Sequence, residues 1–251
     1  MINFFRKTRK KMADSNKPMK YMRYAVGEIV LVVVGILIAL QINTWNQERK
    51  TQLKEKVILK SLLDEFKTNS DRLFIANKSA TVAYNKCLFL LKYIRDDQLE
   101  LSKPTSDTLV MWSLNGFVTF DVSNGYINSL LSTGDIHILQ NDSLKHLITN
   151  WNKEVIDNSV EAEEWLQQEL NSIVSPFLIK HYSFATEPFK GITSHNSPFK
   201  FDYRRIYRNP QFENIVIQKA NKYFFCLSAY IELDKYINQI ISIIERELQV
   251  E

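Results

Sequence analysis

Residues 27–45 read GEIVLVVVGILIALQINTW. The unbroken apolar run within them covers only 29–40, a length that suits a buried core helix or the centre of a signal peptide as well as a membrane helix. The flanks decide between these. Extended to 24–42 the segment has 19 residues, and at about 1.5 Å per residue it rises about 28 Å, close to the roughly 30 Å of a bilayer's hydrocarbon core. Only Glu28 and Gln41 interrupt it, both near its ends. Tyr21 and Tyr24 stand at one boundary and Trp45 at the other, where amphipathic rings favour the headgroup level. A cleaved signal peptide calls for small residues just after the apolar run. Here the chain continues Gln41, Ile42, Asn43, and the segment reads as a retained transmembrane helix.

The charge of the chain is distributed unevenly around that helix. The formal net charge is +4, but residues 1–23 carry eight basic side chains against Asp14 alone, so the tail holds +7 and the remainder −3. A short basic tail is a poor sign of nucleic-acid binding. It is a good sign of topology, because the flank richer in Lys and Arg stays in the cytoplasm. Only Arg49, Lys50, Lys54 and Lys56 follow the segment closely. The expected arrangement is a bacterial inner-membrane protein with a cytoplasmic tail at 1–23, a transmembrane helix at 24–42 and an extracytoplasmic, periplasmic domain at 43–251.

Three residues in the segment are candidates for function. Glu28 is ionisable, which in a membrane helix marks a site; its depth, one turn past Tyr24, equally allows it to snorkel to the interface beside Arg23. Gly35 and Ala39 form a small-xxx-small pair through which two helices could approach, with Gly27 two turns earlier. The stretch YAVGEIVLVVVGILIALQINTWNQERK, preceded by MINFFRKTRKK, resembles the start of an uncharacterised family of single-pass membrane proteins from bacteroidete bacteria, the domain of unknown function 6090. Thr119, Phe120, Tyr126, Leu130, Gly134, Asn141 and Leu144 resemble a second patch of that family, with Asp121 and Lys145 departing from it. The resemblance implies an inner-membrane anchor and a periplasmic domain, and no chemistry.

Six glycines and six prolines in 251 residues argue against a turn-rich β fold. The rest of the chain reads as all-α, a bundle of long helices. Leu59, Leu63, Phe66, Leu73, Ala80, Tyr84, Cys87 and Leu91 form a heptad-like stripe along a helix at about 46–97. A second helix at about 142–182 starts at Asn141 or Asp142 as cap, carries Trp151 and Trp165 on its apolar side, and should kink or end at Pro176. A third, at about 209–249, has Asn209 as cap and Pro210 at its first position. Gly134 is expected to close a short helix in the left-handed conformation.

Residues 183–208 are expected to be irregular, and Phe199, Phe201, Tyr203 and Tyr207 alternate there with Arg204, Arg205 and Arg208. Outside the membrane this loop would suit an anionic glycan, lipid or protein surface; alternatively the rings pack down on the bundle and the bases face water. No nucleophile elbow, zinc-binding helix motif or phosphate loop occurs. Glu161, Glu163 and Glu164 read as a solvated face. Cys87 and Cys226 form no CxxC pair, though in an oxidising compartment they could bridge the first and last long helices. The expectation is therefore a non-enzymatic, membrane-anchored helical interaction or scaffold protein. It has no cofactor or metal and no nucleic-acid partner; its partners are the lipid bilayer and either another protein or further copies of itself. The alternative is a ligand-binding sensor or transport accessory subunit acting through a partner.

Overall fold

The computed structural model describes residues 18–96, 101–116, 118–183 and 201–249; the basic tail at 1–17, residues 184–200 and with them Phe199 lie outside these. Among the described residues every regular element is helical. The chain divides into two compact units, Met1–Val57 and Ile58–Glu251.

The first helix, α1, runs Pro18–Arg95. The sequence placed a membrane helix and a second helix from about 46 on either side of a junction near residue 43, but no Pro or Gly stands between Gly35 and Gly116 other than Pro104, and the helix continues through the junction unbroken. Within the first unit α1 includes one stretch long and apolar enough to cross a membrane, none of it buried by the protein.

The second unit is built on three long rows of buried side chains. On α1 they step from Leu59 through Leu62, Phe66, Asn69, Leu73 and Ala76 to Leu90, alternating threes and fours. The last helix, α7 (Pro210–Gln249), does the same from Phe212 through Val216, Lys219, Tyr223 and Cys226 to Ile244. This alternation keeps one face of a helix against a neighbour at a shallow crossing angle. α1 and α7 are antiparallel: Lys67 pairs with Glu245 at 3.0 Å and Arg95 with Glu213 at 2.8 Å.

The third row crosses α4 (Asp142–Val155), α5 (Glu161–Glu169) and α6 (Ser175–His181), joined without a break by π-helical turns at Ile156–Val160 and Leu170–Val174. Its buried residues Trp151, Val155, Ser159, Ala162, Leu166, Glu169 and Val174 contain one repeated step of four and one step of five. Each surplus residue falls in a π turn, which takes up an extra residue and returns the row to the core. Pro176, expected to kink or end the helix, comes just after the second π turn. It sits in the first turn of α6, and the helix runs on to His181.

Short elements close the unit. α2 (Lys103–Leu114) is capped by Ser102 and has Pro104 in its first turn. α3 (Gly125–Thr133) ends at Gly134, whose φ is 75°. Asn141 caps α4 by accepting from the Leu144 amide at 3.0 Å, and its Nδ2 donates to Glu247 at 2.7 Å. Asn209 caps α7 through the Gln211 amide at 2.9 Å. A Cβ on Gly134 would meet nothing within 4 Å, so only the left-handed backbone opposes a side chain there. Gly134→Ala is expected to cost about 1 to 2 kcal/mol and to lower the melting temperature of the second unit by roughly 2 to 8 °C, with Asp135→Asn nearly silent. Circular dichroism melting of the full chain in detergent checks both; unchanged melting for Gly134→Ala would overturn the backbone argument.

Candidate functional site

Three sides of α1 in the second unit have different tasks. One side is the core row. A second clasps the extended segment before α3. Asn69 donates to the Ser123 carbonyl and accepts from its amide, both at 2.7 Å. Glu65 accepts from the Tyr126 and Ile127 amides at 3.1 and 2.9 Å, supplying from a neighbouring helix the cap that Asn124 does not give α3. Arg72 donates to the Asp121 carbonyl at 2.7 Å and Ser79 accepts from the Val118 amide at 3.0 Å. An extended segment has no ladder of its own, so these side chains take the place of one. The second sequence patch is thus a fastening. Asp121 takes part chiefly through its backbone, and Lys145 pairs with Asp142 at 2.6 Å.

The third side faces outward and is unusually apolar. Eight residues of 74–89 are exposed: Phe74, Ile75, Lys78, Thr81, Val82, Asn85, Leu88 and Phe89. Five are large and apolar, from 43% exposed at Leu88 to 68% at Phe74, and one is charged. Phe224 of α7, 6.4 Å from Tyr84 between ring centres, extends the patch with Phe225. Contiguous apolar surface of this kind on a folded unit marks an interaction face. The sequence held its signal, the pairs Phe74-Ile75, Thr81-Val82 and Leu88-Phe89 recurring every seven residues beside the core row.

A second unforeseen feature lies in the core. Glu169 on α5 and Lys219 on α7 are 1% and 0% exposed. Lys219 Nζ donates to the Leu166 carbonyl at 3.0 Å. Burial pushes its ammonium down to about 8, with the Glu169 carboxylate opposing that shift. Lys222 reaches Glu169 at 3.7 Å, yet neither Glu169 oxygen has a hydrogen-bond partner among the described residues. Cys87 joins the layer from α1, its Sγ donating to the Ser113 carbonyl at 3.2 Å. Burial raises its thiol to about 12. Such a thiol is inert, and Cys87 and Cys226 are both buried and free in the structure, not bridged.

The residues singled out from sequence fare differently. Glu28 is half-buried, and Gly35 and Ala39 are exposed on the first unit, with nothing within 4 Å of a Cβ built on Gly35. Within the expected irregular loop at 183–208, the described stretch Tyr203–Arg208 forms a 3-10 turn capped by Asp202. Ile206 and Tyr207 draw that turn onto the core. Tyr207 is buried, edge-on to Tyr93 at 4.7 Å, and hydrogen-bonded to Ser106. Ser106 also bonds Tyr182 at 3.0 Å, and Tyr182 donates to the buried Asp107, which Lys103 pairs. Tyr203 is half-buried and donates to the Leu101 carbonyl at 2.7 Å. Of the described members of the set, Phe201, Arg204, Arg205 and Arg208 are exposed, Tyr203 is half-buried and Tyr207 is no surface residue. Glu163 corrects the solvated-face reading: it accepts from Tyr230 at 2.6 Å and the Phe120 amide at 2.8 Å, and burial raises its carboxyl. Trp165, expected in the core, is 53% exposed.

Among the described residues no cluster of three His, Cys, Asp or Glu side chains is placed to hold a metal. Comparison with curated proteins and with solved structures gives no match. The profile of a family of unknown function, DUF6090, matches residues 28–183, well over half of the chain and inclusive of α1 from Glu28, the clasped segment and α4 to α6, and the chain belongs to that family.

Proposed function

We propose that this protein is a single-pass anchor of a bacterial inner membrane that holds its helical unit outside the cytoplasm and binds another protein chain through the outward face of α1. The observation that carries the reading is the exposed row Phe74, Ile75, Val82, Leu88 and Phe89, which only Lys78 interrupts with a charge. Water-facing apolar area of this extent favours association. The apolar stretch of α1 and the basic residues before it support the anchor and its direction.

A photo-crosslinking residue at Val82, in native membranes, is expected to capture a protein that the same residue at Gln239, exposed on α7, does not. Equal capture from both positions would remove the role given to α1. The chain is also expected to stay with membranes after alkaline carbonate washing, and protease outside spheroplasts is expected to digest the helical unit while sparing a tag at residue 1. Release by carbonate would overturn the anchor, and protection of the unit would invert the topology. A ligand-binding sensor or transport accessory subunit is the second reading, favoured by the buried Glu169–Lys219 layer between helices. It requires a small molecule that raises the melting temperature.

A further inference from the structure

The partner of the α1 face can be read from charge and level. Residues 73–92 contain three lysines, Lys78, Lys86 and Lys92, and no carboxylate. Residues 154–179 contain Glu154, Asp157, Glu161, Glu163, Glu164 and Glu169 and no Lys or Arg. On the outside of that second stretch Ile156, Val160 and Trp165 are 50%, 36% and 53% exposed, flanked by the exposed Glu161 and Glu164. One outer face is apolar with basic edges, the other apolar with acidic edges.

The two faces also stand at the same height. Tyr236 of α7 donates to the Leu147 carbonyl and Lys219 to the Leu166 carbonyl, so the α4 to α6 row is antiparallel to α7 and therefore parallel to α1. The Phe120 amide donates to Glu163 of α5, and the same extended segment is held on α1 by Arg72 at the Asp121 carbonyl and by Ser79 at the Val118 amide. These contacts bring the 72–79 stretch of α1 and Glu163 of α5 to the same segment of chain.

Resting on the reading of α1 as a binding face, we propose that its occupant is a second copy of this chain: neighbouring copies stand side by side, the lysine-edged α1 face of one on the acid-edged α5 face of the next. Copies anchored by the same segment share one topology, so each offers both faces on the same side of the membrane. A symmetric α1-to-α1 pair would set Lys78 on Lys78 with no carboxylate between 73 and 92 to compensate, and like charges in register repel. The contact is front-to-back, which builds a ring or a row of copies. Confinement to one bilayer raises the effective concentration, so an area below the usual roughly 800 Å² per partner is sufficient.

The test uses full-length chains in vesicles of phosphatidylethanolamine and phosphatidylglycerol. Asn85 and Gln168 are exposed and uncharged, one on each of the two faces. Differently tagged Asn85→Cys and Gln168→Cys chains, mixed and mildly oxidised, are expected to give disulfide-linked pairs of one of each, which neither variant forms alone. Lys78→Glu with Lys92→Glu on the first chain should lower the yield roughly fivefold, and Glu161→Lys with Glu164→Lys on the second should restore it. Unchanged melting of these surface variants excludes misfolding. Bridging within the Asn85→Cys sample alone would assign the face to a symmetric pair and overturn the proposal. Absence of bridging, with Val82 still capturing a different protein in native membranes, would overturn it while leaving the binding face in place. Absence of both would remove the binding face as well.

Discussion

Glu169→Leu is expected to lower the stability of the helical unit by about 3 to 5 kcal/mol, because it removes the carboxylate whose charge opposes the desolvation of the buried Lys219 ammonium. At roughly 2 to 4 °C per kcal/mol for a domain of this size, the melting temperature should fall by roughly 6 to 20 °C. Lys219 is fully buried, and the Leu166 carbonyl that it reaches at 3.0 Å does not neutralise its charge. Lys219→Met should cost less, since Lys222 at 3.7 Å still faces Glu169. The double variant Glu169→Leu with Lys219→Met should recover most of the loss, because an apolar pair of similar volume needs no desolvation of charge. A double-mutant cycle by chemical denaturation of the full chain in detergent measures the coupling. Additive losses would show that the two groups do not act as a pair.

Raising the pH above 9 is the second large perturbation. Burial lifts the Cys87 and Cys226 thiols from 9.0 to about 12. Their contribution to stability is therefore complete below pH 9, where both states are protonated, and is lost as pH climbs toward 12, where the unfolded chain releases protons that the folded chain retains. Burial raises the phenols of Tyr182, Tyr207, Tyr223 and Tyr230 as well, and these add to the loss above pH 10. Lys219 acts in the opposite direction: lowered from 10.5 to about 8, it sheds its proton in the folded state first and stabilises the fold as pH rises through that window. Below pH 9 Lys219, joined by Lys86, which burial also lowers, sets the sign, and the curve should rise slightly. From 9 upward two thiols oppose Lys219 and the smaller shift of Lys86, each group changing stability by at most about 1.4 kcal/mol per pH unit, and the net slope turns negative. Melting temperatures from pH 8 to 10.5 should show this turn, and Cys87→Ala with Cys226→Ala should flatten the descending limb. A curve still rising at pH 10.5 would mean that the thiols are not held in the core.

Much of this architecture could be read along the chain because it depends on one helix at a time. The apolar stretch at 24–42, the Asn209-Pro210 start of α7, the left-handed Gly134 and the Asn141 cap are all set by near neighbours in sequence. The core rows of α1 and α7 follow from a three-four spacing that belongs to each helix separately. Periodicity gives the direction in which a helix must face its neighbours and leaves open which residue of a neighbour stands opposite. That axial pairing brings Glu169 to Lys219, Glu65 and Asn69 to the start of α3, and Tyr207 to Ser106. The same limit explains why Glu163 and Trp165 exchanged their expected places: the π turn at Ile156–Val160 rotates α5 relative to α4 by the arc of one residue, a change visible only once three helices have packed. Local chemistry in the sequence determined the apolar stretch long enough to span a membrane, the helices and their caps, and tertiary packing alone decided the buried charge layer and the outward face, since both depend on how the helices pack on one another.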